Sequence, residues 1–397
     1  MLDRLKNLLR APEAKASRTA HIVALESGGR ARWTPKDYAA LAREGYMANA
    51  VVHRAVKLVA ENAASVSFLL YEGAAERDKH PLLGLLARPN PRQEQAAFLE
   101  SVCTHLMLAG NAYVEAVALE GANERQDGQQ VRELYALRPD RMRVVPGADG
   151  WADAYEYTAA GRTVRFDQSA ALPPILHLAA FHPFDDHYGL SPLEAAAIAV
   201  DTHNAAARWN KALLDNAARP SGALVYAAAE NAILSDTQYE RLKRELTDDY
   251  QGARNAGRPL VLEGGLDWKA MSLSPKDMDF MEAKNSAARE IALAFGVPPM
   301  LLGIPGDNTY SNYQEANRVF WRGTVLPLAS RIANALAQWL APAFGEGVRL
   351  AIDTDRIEAL AADRAALWER VTDAPFLTLN EKRLATGYGT VEGGDRL

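Results

Sequence analysis

Apolar residues recur at helical or strand spacing along most of this chain, and the pattern changes character near residue 190. Before that point, helical stripes at 36–64, 80–90 and 94–108 are mixed with short alternating runs that predict strands. Thr34 and Pro35 are residue types that begin helices, so they predict the start of the first helix. The predicted strands cover 66–72, 113–119, 133–137, 142–145, 154–158, 163–166 and 175–178. We therefore expect a mixed α+β domain over about 66–180.

Beyond residue 190, two long helical patterns enclose a small module. The first begins at Ser191-Pro192 and reaches about residue 216, and the second begins at Ser274-Pro275 and reaches residue 295. Serine followed by proline is a favourable helix start. Between them the pattern predicts a strand at 224–226, a charged helix at 235–250 and paired strands at 259–262 and 267–271. Two long helices around an inserted module predict a stalk with a cap at its far end.

The second long helix is followed by a proline stop and a polar loop. Val297, Pro298 and Pro299 break the helix because proline lacks an amide donor and disfavours a helical residue before it. Turn formers and hydroxyl residues then fill 303–312. A loop between two strong helices is either functional or a tolerated surface insertion. The helix predicted at 312–340 contains Gly323 and Pro327, so we expect a kink or two shorter helices.

Composition sets limits on function. The chain has 397 residues, 48% apolar and 24% charged, as in ordinary globular proteins, with room for two or three compact units. Its lone cysteine, Cys103, excludes an intrachain disulfide and predicts a small buried residue. No apolar run reaches the length of a membrane span, so we expect no membrane association. The first residues read as a flexible basic arm and not as a secretory signal.

The charge balance argues against a tight grip on nucleic acid. Lysine and arginine number 44 against 50 acidic residues, which gives a net charge of −6. Tight binding to DNA comes from basic side chains that displace counterions from phosphates. Only weak, transient contact with double-stranded DNA is therefore expected.

Eight collinear segments resemble the portal (connector) proteins of tailed double-stranded DNA phages and gene transfer agents. None carries a catalytic signature, and their order over about 300 residues makes the resemblance specific. The segments are HPLLGLLARPNP at 80–91, LMLAGNAYVEAV at 106–117, ALRPDRMRVV at 136–145, HYGLSPLEAA at 187–196, NAGRPLVLEGGLDW at 255–268, AREIALAFGVPPMLLG at 288–303, NTYSNYQEANRVFW at 308–321 and LTLNEKRLATGYG at 377–389.

The resemblance implies a portal fold: a mixed α/β wing, a long helical stem, a small α/β clip, a tunnel loop and a short helical crown. The expected divisions are a flexible arm at 1–35, the first part of the wing at 36–190, stem helices at 191–217 and 273–296, the clip at 218–272, the wing return with its tunnel loop at 303–312 and kinked helix within 297–354, and the crown at 355–397.

The resemblance also implies roles for individual residues. The tunnel loop would contact DNA in the channel through polar side chains, namely Asp307, Asn308, Thr309, Tyr310, Ser311 and Asn312. Lys276 and Lys284 would soften an acidic channel wall in the stem, although ordinary solvated helix charges would look the same in sequence. The clip would dock other proteins through Arg241, Lys243, Arg254 and Arg258.

A portal role implies particular partners and a particular location. The expected partners are further copies of the chain in a ring of about twelve subunits, the major capsid protein, the terminase large subunit and a head–tail adaptor. The expected location is the capsid vertex of a virion or phage-like particle, with assembly in the bacterial host cytoplasm. No cofactor, metal or catalytic residue is expected.

An enzyme is the alternative from a different functional class. The segment HLAAFHPFDDHYG gathers His177, His182, Asp185, Asp186 and His187, and such side chains are metal ligands in hydrolases. Their spacing places no histidine pair on one helical face, and Pro183 predicts a loop. A soluble metal-dependent hydrolase using His182, Asp185 and His187 is therefore the second hypothesis.

Overall fold

The computed structural model describes residues 33–35, 37–119, 130–215, 222–226, 237, 240–241, 266–270, 280–306 and 310–396. The chain separates into two units, Met1–Trp33 and Thr34–Leu397. The basic arm expected at 1–35 lies almost wholly outside the described residues. All elements below belong to the second unit.

The first helical region is interrupted, contrary to the single helix predicted at 36–64. Helix α1 (Tyr38–Leu41) continues as a π-helical turn (Ala42–Met47), and α2 (Ala50–Ala64) follows. Asp37 caps α1, and Asn49 caps α2 by accepting from the amides of Val51 and Val52. Thr34 was the predicted cap, but its hydroxyl donates to the Asp201 carboxylate instead. The carboxylate and amide side chains at 37 and 49 therefore set the helix starts.

The segment up to residue 180 is the α+β domain that the sequence predicts. Two further helices are α3 (Pro81–Ala87) and α4 (Gln95–Ala109). The strands are β1 (Phe68–Glu72), β2 (Ala75–Glu76), β3 (Asn111–Leu119), β4 (Gln130–Leu137), β5 (Met142–Pro146), β6 (Ala152–Ala159), β7 (Arg162–Asp167) and β8 (Ile175–Ala179). Each of the seven predicted strands overlaps an observed one, with ends differing by a few residues.

Two three-stranded antiparallel sheets lie in this domain, with strand orders β4-β3-β8 and β5-β6-β7. Helices α2 and α4 pack against each other beside them, and their apolar faces carry residues with almost no exposed surface, such as Val56 and Phe98. Cys103 lies in the same core, where burial raises the pKa of its thiol to about 12. The thiol is therefore a small buried apolar group, as the sequence predicted.

The two predicted stalk helices pack against each other. The first is broken into α5 (Pro192–Ala195) and α6 (Ala197–Asp215), and the second is α7 (Phe280–Ala294). Between them the structure describes an antiparallel pair, β9 (Gly222–Tyr226) and β10 (Leu266–Ala270). The sequence paired 267–271 with 259–262, but β10 pairs with β9. The segment 259–262 and most of the helix predicted at 235–250 lie outside the described residues.

A long helical segment returns through the core after α7. It consists of α8 (Tyr310–Phe320), a π-helical turn (Trp321–Val325) and α9 (Leu326–Phe344). The Leu326 amide donates to the Trp321 carbonyl, five residues back. The π turn ends at Val325, two residues before Pro327, whose ring would distort a regular helix. The irregularity falls where the kink was predicted, and the helix does not separate into two.

The C-terminal part of the chain packs on the third sheet. Strand β11 (Val348–Ile352) pairs with β1, which gives the order β11-β1-β2. Two helices follow, α10 (Ala361–Thr372) and α11 (Leu379–Ala385). Beyond α11, the Gly387 carbonyl accepts a hydrogen bond of 2.8 Å from the hydroxyl of Tyr71 in β1. Among the described residues, no helix is long and apolar enough to cross a membrane.

Candidate functional site

A glycine ends the helix that leads into the candidate loop. Gly296 has a φ of +64°, and its amide donates to the Leu293 carbonyl. The Val297 amide donates to the Ala292 carbonyl at 2.9 Å, which completes a Schellman motif. The sequence attributed this stop to Pro298 and Pro299. The helix already ends before them, and the two prolines keep the chain from resuming it.

The first residues of the loop are fixed to α7. After a 3₁₀ turn (Pro299–Leu302), Ile304 is buried and packs with Ala288 and Ala292 on α7. The Arg289 guanidinium donates to the Pro305 carbonyl. A Cβ atom on Gly306 would lie 2.6 Å from that guanidinium, so only glycine fits without a shift. The loop therefore leaves the core from a defined point at 304–306.

The loop is shorter than predicted. Asp307, Asn308 and Thr309 lie outside the described residues. Tyr310, Ser311 and Asn312 were assigned to the loop, but they form the first turn of α8. The Asn312 side chain is exposed. The described chain therefore stops at Gly306 and resumes at Tyr310, where α8 begins.

Ion pairs and a buried aromatic residue hold the other side of the loop. Arg318 on α8 pairs with Glu315 and, at 3.2 Å, with Asp363 of α10. Phe320 is almost wholly buried at the end of α8. In the π turn, the Thr324 hydroxyl donates to the Gly296 carbonyl at 2.6 Å. The residues before the loop and the helical segment after it are therefore both held against the end of α7.

A polar network joins Asn49, the cap of α2, to the stem helix α6 close to one of the predicted channel residues. The Asn49 amide donates to Asn204 on α6 and lies 3.1 Å from His203 Nδ1. Lys284 on α7 is half-buried. Burial, and secondarily the positive charge of Lys284, lower the pKa of His203. Lys284 is therefore half-buried and close enough to His203 on α6 to affect its pKa. Lys276 lies outside the described residues.

Ile291 does not face a neighbouring subunit. Ile291 has no exposed surface and belongs to the core of its own chain, together with Ala287 and Phe295. In contrast, Leu293, two residues further on, is 79% exposed. The outward face of α7 is therefore the one that carries Leu293.

The predicted clip residues are largely outside the described part of the chain. Arg241 is helical and exposed. Lys243, Arg254 and Arg258 lie outside the described residues. Their docking role stays a prediction.

The His/Asp segment stabilises turns. His182 Nδ1 accepts from the Phe184 amide at 3.1 Å. Asp185 accepts from the amides of His187 and Tyr188, and these hydrogen bonds, the His187 one first, lower the pKa of its carboxyl group. Among the residues that the structure describes, no group of histidine, cysteine and acidic side chains could hold a metal ion. The geometry gives the hydrolase hypothesis no support.

A crossing of two glycines is the feature that sequence reasoning missed. Gly110 and Gly189 approach so closely that a Cβ on Gly189 would lie 2.2 Å from the Gly110 carbonyl oxygen. Asn111 locks the crossing. Its Oδ1 accepts from the Gly189 amide at 2.8 Å and from His177 Nε2 at 2.9 Å, and its Nδ2 donates to the Ala109 carbonyl. The only signal in the sequence was the Gly110-Asn111 pair and the Tyr188-Gly189 pair, each of which lies in one of the eight segments that resemble portal proteins.

His177 is part of this structural network and is not a free metal ligand. Its ring stacks on Tyr113 with 4.3 Å between centroids, and the Tyr155 hydroxyl lies 3.3 Å from its Nδ1. Burial, with a smaller effect of His187, lowers the pKa of His177 to about 4. The imidazole is therefore neutral at pH 7 and holds two strands and a loop together.

Three comparisons place the chain among proteins of known type. The family model described as phage portal protein matches residues 50–387. The portal protein of Enterobacteria phage HK97 is 26% identical over 356 residues, which cover 87% of this chain and 80% of that protein.

Solved structures agree. A chain in the neck of an empty gene transfer agent particle, computed with C6 symmetry, is 53% identical with a TM-score of 0.71, and the match covers 94% of this chain and 100% of that one. A chain in the neck of a native particle, computed with C12 symmetry, is 52% identical with a TM-score of 0.68 and coverages of 91% and 96%.

Proposed function

The chain belongs to the phage portal protein family, and from that membership we propose that twelve copies form a ring at one vertex of a gene transfer agent or phage-like capsid. Double-stranded DNA enters and leaves the capsid through this ring. The observation that carries the proposal is the match over 94% of the chain to a subunit of a gene transfer agent neck.

The symmetry of the similar necks supports the subunit number. Those necks were computed with C12 and C6 symmetry. A ring of twelve identical subunits is compatible with both, because sixfold rotation is contained in twelvefold rotation. A closed ring also makes each interface heterologous, so two different faces of the chain meet at every contact.

We assign the tunnel role to the residues between Gly306 and α8. Both ends of this segment are fixed, by Ile304 and Arg289 on one side and by Arg318 and Thr324 on the other. A polar segment on such a base can project towards the axis without disturbing the core. Amide and hydroxyl side chains there contact phosphates without the strong attraction of lysine or arginine.

The charge of the chain suits a conduit. Each subunit carries a net charge of −6, and a ring multiplies this charge around the channel. Phosphates and acidic side chains repel each other, and salt screens that repulsion over about 10 Å at 0.1 M. DNA therefore moves through the channel with few attractive contacts to break.

The clip is the proposed docking site for the terminase large subunit during packaging and for the head–tail adaptor afterwards. The wing is the proposed contact with the major capsid protein. Charge reversal at Arg254 and Arg258 should reduce packaging and leave ring assembly intact, since both residues precede β10 in the inserted module. Packaging at the normal level by that double variant would contradict the docking assignment.

The portal family is structural, and we propose that the chain has no catalytic step of its own. Complementation tests the function directly. In a producing strain without the chromosomal copy, wild-type protein should restore nuclease-protected DNA in purified particles. Normal amounts of protected DNA in the deletion strain alone would overturn the proposal.

A further inference from the structure

A cavity of about 580 Å³ opens between the third sheet and the C-terminal segment. Leu70 and Leu350 face the core, so their neighbours along the strands face the other way. That second face supplies Leu69, Tyr71 and Arg349 to the cavity. The segment from Leu384 to Gly389 forms the opposite wall. The volume is in the range of sites that hold a ligand or a few side chains.

One positive charge at this cavity is not neutralised. Arg364 pairs with Asp355, and Asp353 pairs with Arg356. The Arg349 guanidinium lies over the Tyr71 ring, 4.4 Å from its centroid. Within the described part of the chain, no carboxylate lies within ion-pair distance of Arg349.

The neighbourhood of Arg349 is suited to a carboxylate with an apolar companion. The stacking on Tyr71 holds the guanidinium plane in place and leaves its N–H groups free to donate. Leu384, on the wall opposite, is 55% exposed. An acidic side chain would pair with the Arg349 guanidinium, and an apolar side chain next to it would cover Leu384.

The chain carries such a group on another surface. In the loop at 181–186, Phe181 is 84% exposed and Phe184 is 94% exposed. Asp186 is exposed too, and its carboxylate has no hydrogen-bond or ion-pair partner among the described residues. The hydrogen bonds at His182 and Asp185 fix the loop backbone, so little ordering is needed on docking.

The loop and the cavity lie by different parts of α9. Arg331, near the start of α9, donates to the Ala179 carbonyl at the base of the loop. Arg349 follows the far end of the same helix. The stretch from Arg331 to Phe344 is about 20 Å long at 1.5 Å per residue. The loop at 181–186 and the cavity are therefore separate surfaces of one chain.

We infer that the loop at 181–186 of one copy docks in the cavity of the next copy in the ring, with the Asp186 carboxylate on Arg349 and Phe184 against Leu384. The inference rests on the ring proposed above. A cyclic interface must join two different surfaces of the same chain, one supplying a projection and the other a cavity. Buried aromatic and arginine side chains are also the residues that dominate interface energies.

A charge exchange tests this contact. R349E and D186R each place like charges together, so each should raise the subunit concentration needed for half-maximal ring assembly by about tenfold, which corresponds to 1.4 kcal/mol. The double variant R349E/D186R restores an opposite pair and should assemble within about threefold of wild type. Mass photometry of full-length protein at 50 mM salt gives the ring fraction.

Asp149 supplies the matched control. It lies beside Trp151, which is 79% exposed at the turn between β5 and β6, so it is a second acidic residue next to an exposed aromatic one. R349E/D149R should assemble as poorly as R349E. Rescue by D149R in place of D186R would overturn the pairing.

The remaining outcomes are equally decisive. Wild-type rings together with single variants that assemble normally would overturn this inference and leave the ring intact as a proposal. Failure of D186R to rescue R349E would overturn it as well. Absence of rings in wild-type protein would overturn both. Thermal unfolding of D186R should match wild type, because the substituted residue is exposed and unpaired.

Discussion

The hydroxyl of Thr324 donates a hydrogen bond of 2.6 Å to the carbonyl oxygen of Gly296. Gly296 ends α7, and Thr324 lies in the π turn of the helical segment that follows the loop. The contact therefore closes the stretch between these two residues at its base. A Cβ on Gly296 would lie 2.6 Å from Thr324 Oγ1, so the closure depends on glycine.

Removal of residues 307–309 should reduce DNA packaging without affecting ring assembly. The flanking residues Ile304 and Phe320 retain their core contacts, so rings should form at the wild-type level. Nuclease-protected DNA per particle should fall about tenfold, since the polar groups proposed to contact DNA are gone. A variant with three glycines at 307–309 keeps the length and shows whether the side chains matter. Full DNA content in the deletion variant would contradict the tunnel role.

Aspartate substitutions at two nearby positions on α7 should have different effects, one on folding and the other on ring assembly. I291D buries an unpaired charge in the core of its own chain, which costs several kcal/mol. We expect little soluble folded protein. L293D changes a residue that is 79% exposed, so the subunit should fold with an unchanged melting temperature. If the outward face of α7 contacts a neighbouring subunit, L293D should also lower the ring fraction. Soluble, cooperatively folded I291D protein would contradict the core assignment.

The glycine crossing should be sensitive to a single methyl group. G189A brings a Cβ to 2.2 Å from the Gly110 carbonyl oxygen, and backbone on both sides leaves no room to move. We expect a loss of about 3 kcal/mol in the free energy of unfolding. The control is G84A, in helix α3, where a Cβ meets no atom within 4 Å. Alanine there should stabilise by up to about 1 kcal/mol. Chemical denaturation measures both, and an unchanged midpoint for G189A would refute the crossing.

Stability should fall below neutral pH because of His177. Burial lowers its pKa in the folded chain to about 4 from 6.5, so between these values the unfolded chain binds the extra proton. The free energy of unfolding therefore decreases as the pH falls from 6.5 to 4, by about 3 kcal/mol for this group. H177Q should show a smaller loss of melting temperature between pH 7 and pH 5 than wild type. Equal losses of melting temperature in H177Q and wild type would show that protonation of His177 does not cause the loss of stability.

Local patterns predicted the elements well because the burial of each face is visible in the spacing. The stripes of α4 and α9 agree with the observed core, whereas burial along β3 does not alternate, since the four consecutive residues 111–114 are all buried. Element ends were less predictable. Asp37 and Asn49 cap the first helices in place of Thr34, and Gly296 ends α7 before the prolines. Such details depend on which of several suitable residues reaches an amide or carbonyl group.

The site was harder to predict because it depends on contacts between distant segments. Spacing alone could not show that Ile291 faces the chain's own core while Leu293 faces outwards. Nor could it join Asn111 to Gly189, 78 residues apart. The family resemblance supplied the portal role. The loop ends earlier than predicted because Tyr310, Ser311 and Asn312 form the first turn of α8.

The mass of the purified full-length protein tests the central claim most directly. Twelve subunits of 43.3 kDa give a ring of about 520 kDa. Native mass spectrometry at micromolar concentration should show that species, and negative-stain class averages should show twelvefold rings with an open centre. A single species of one or two subunits, with no ring at any concentration or salt tested, would contradict the account.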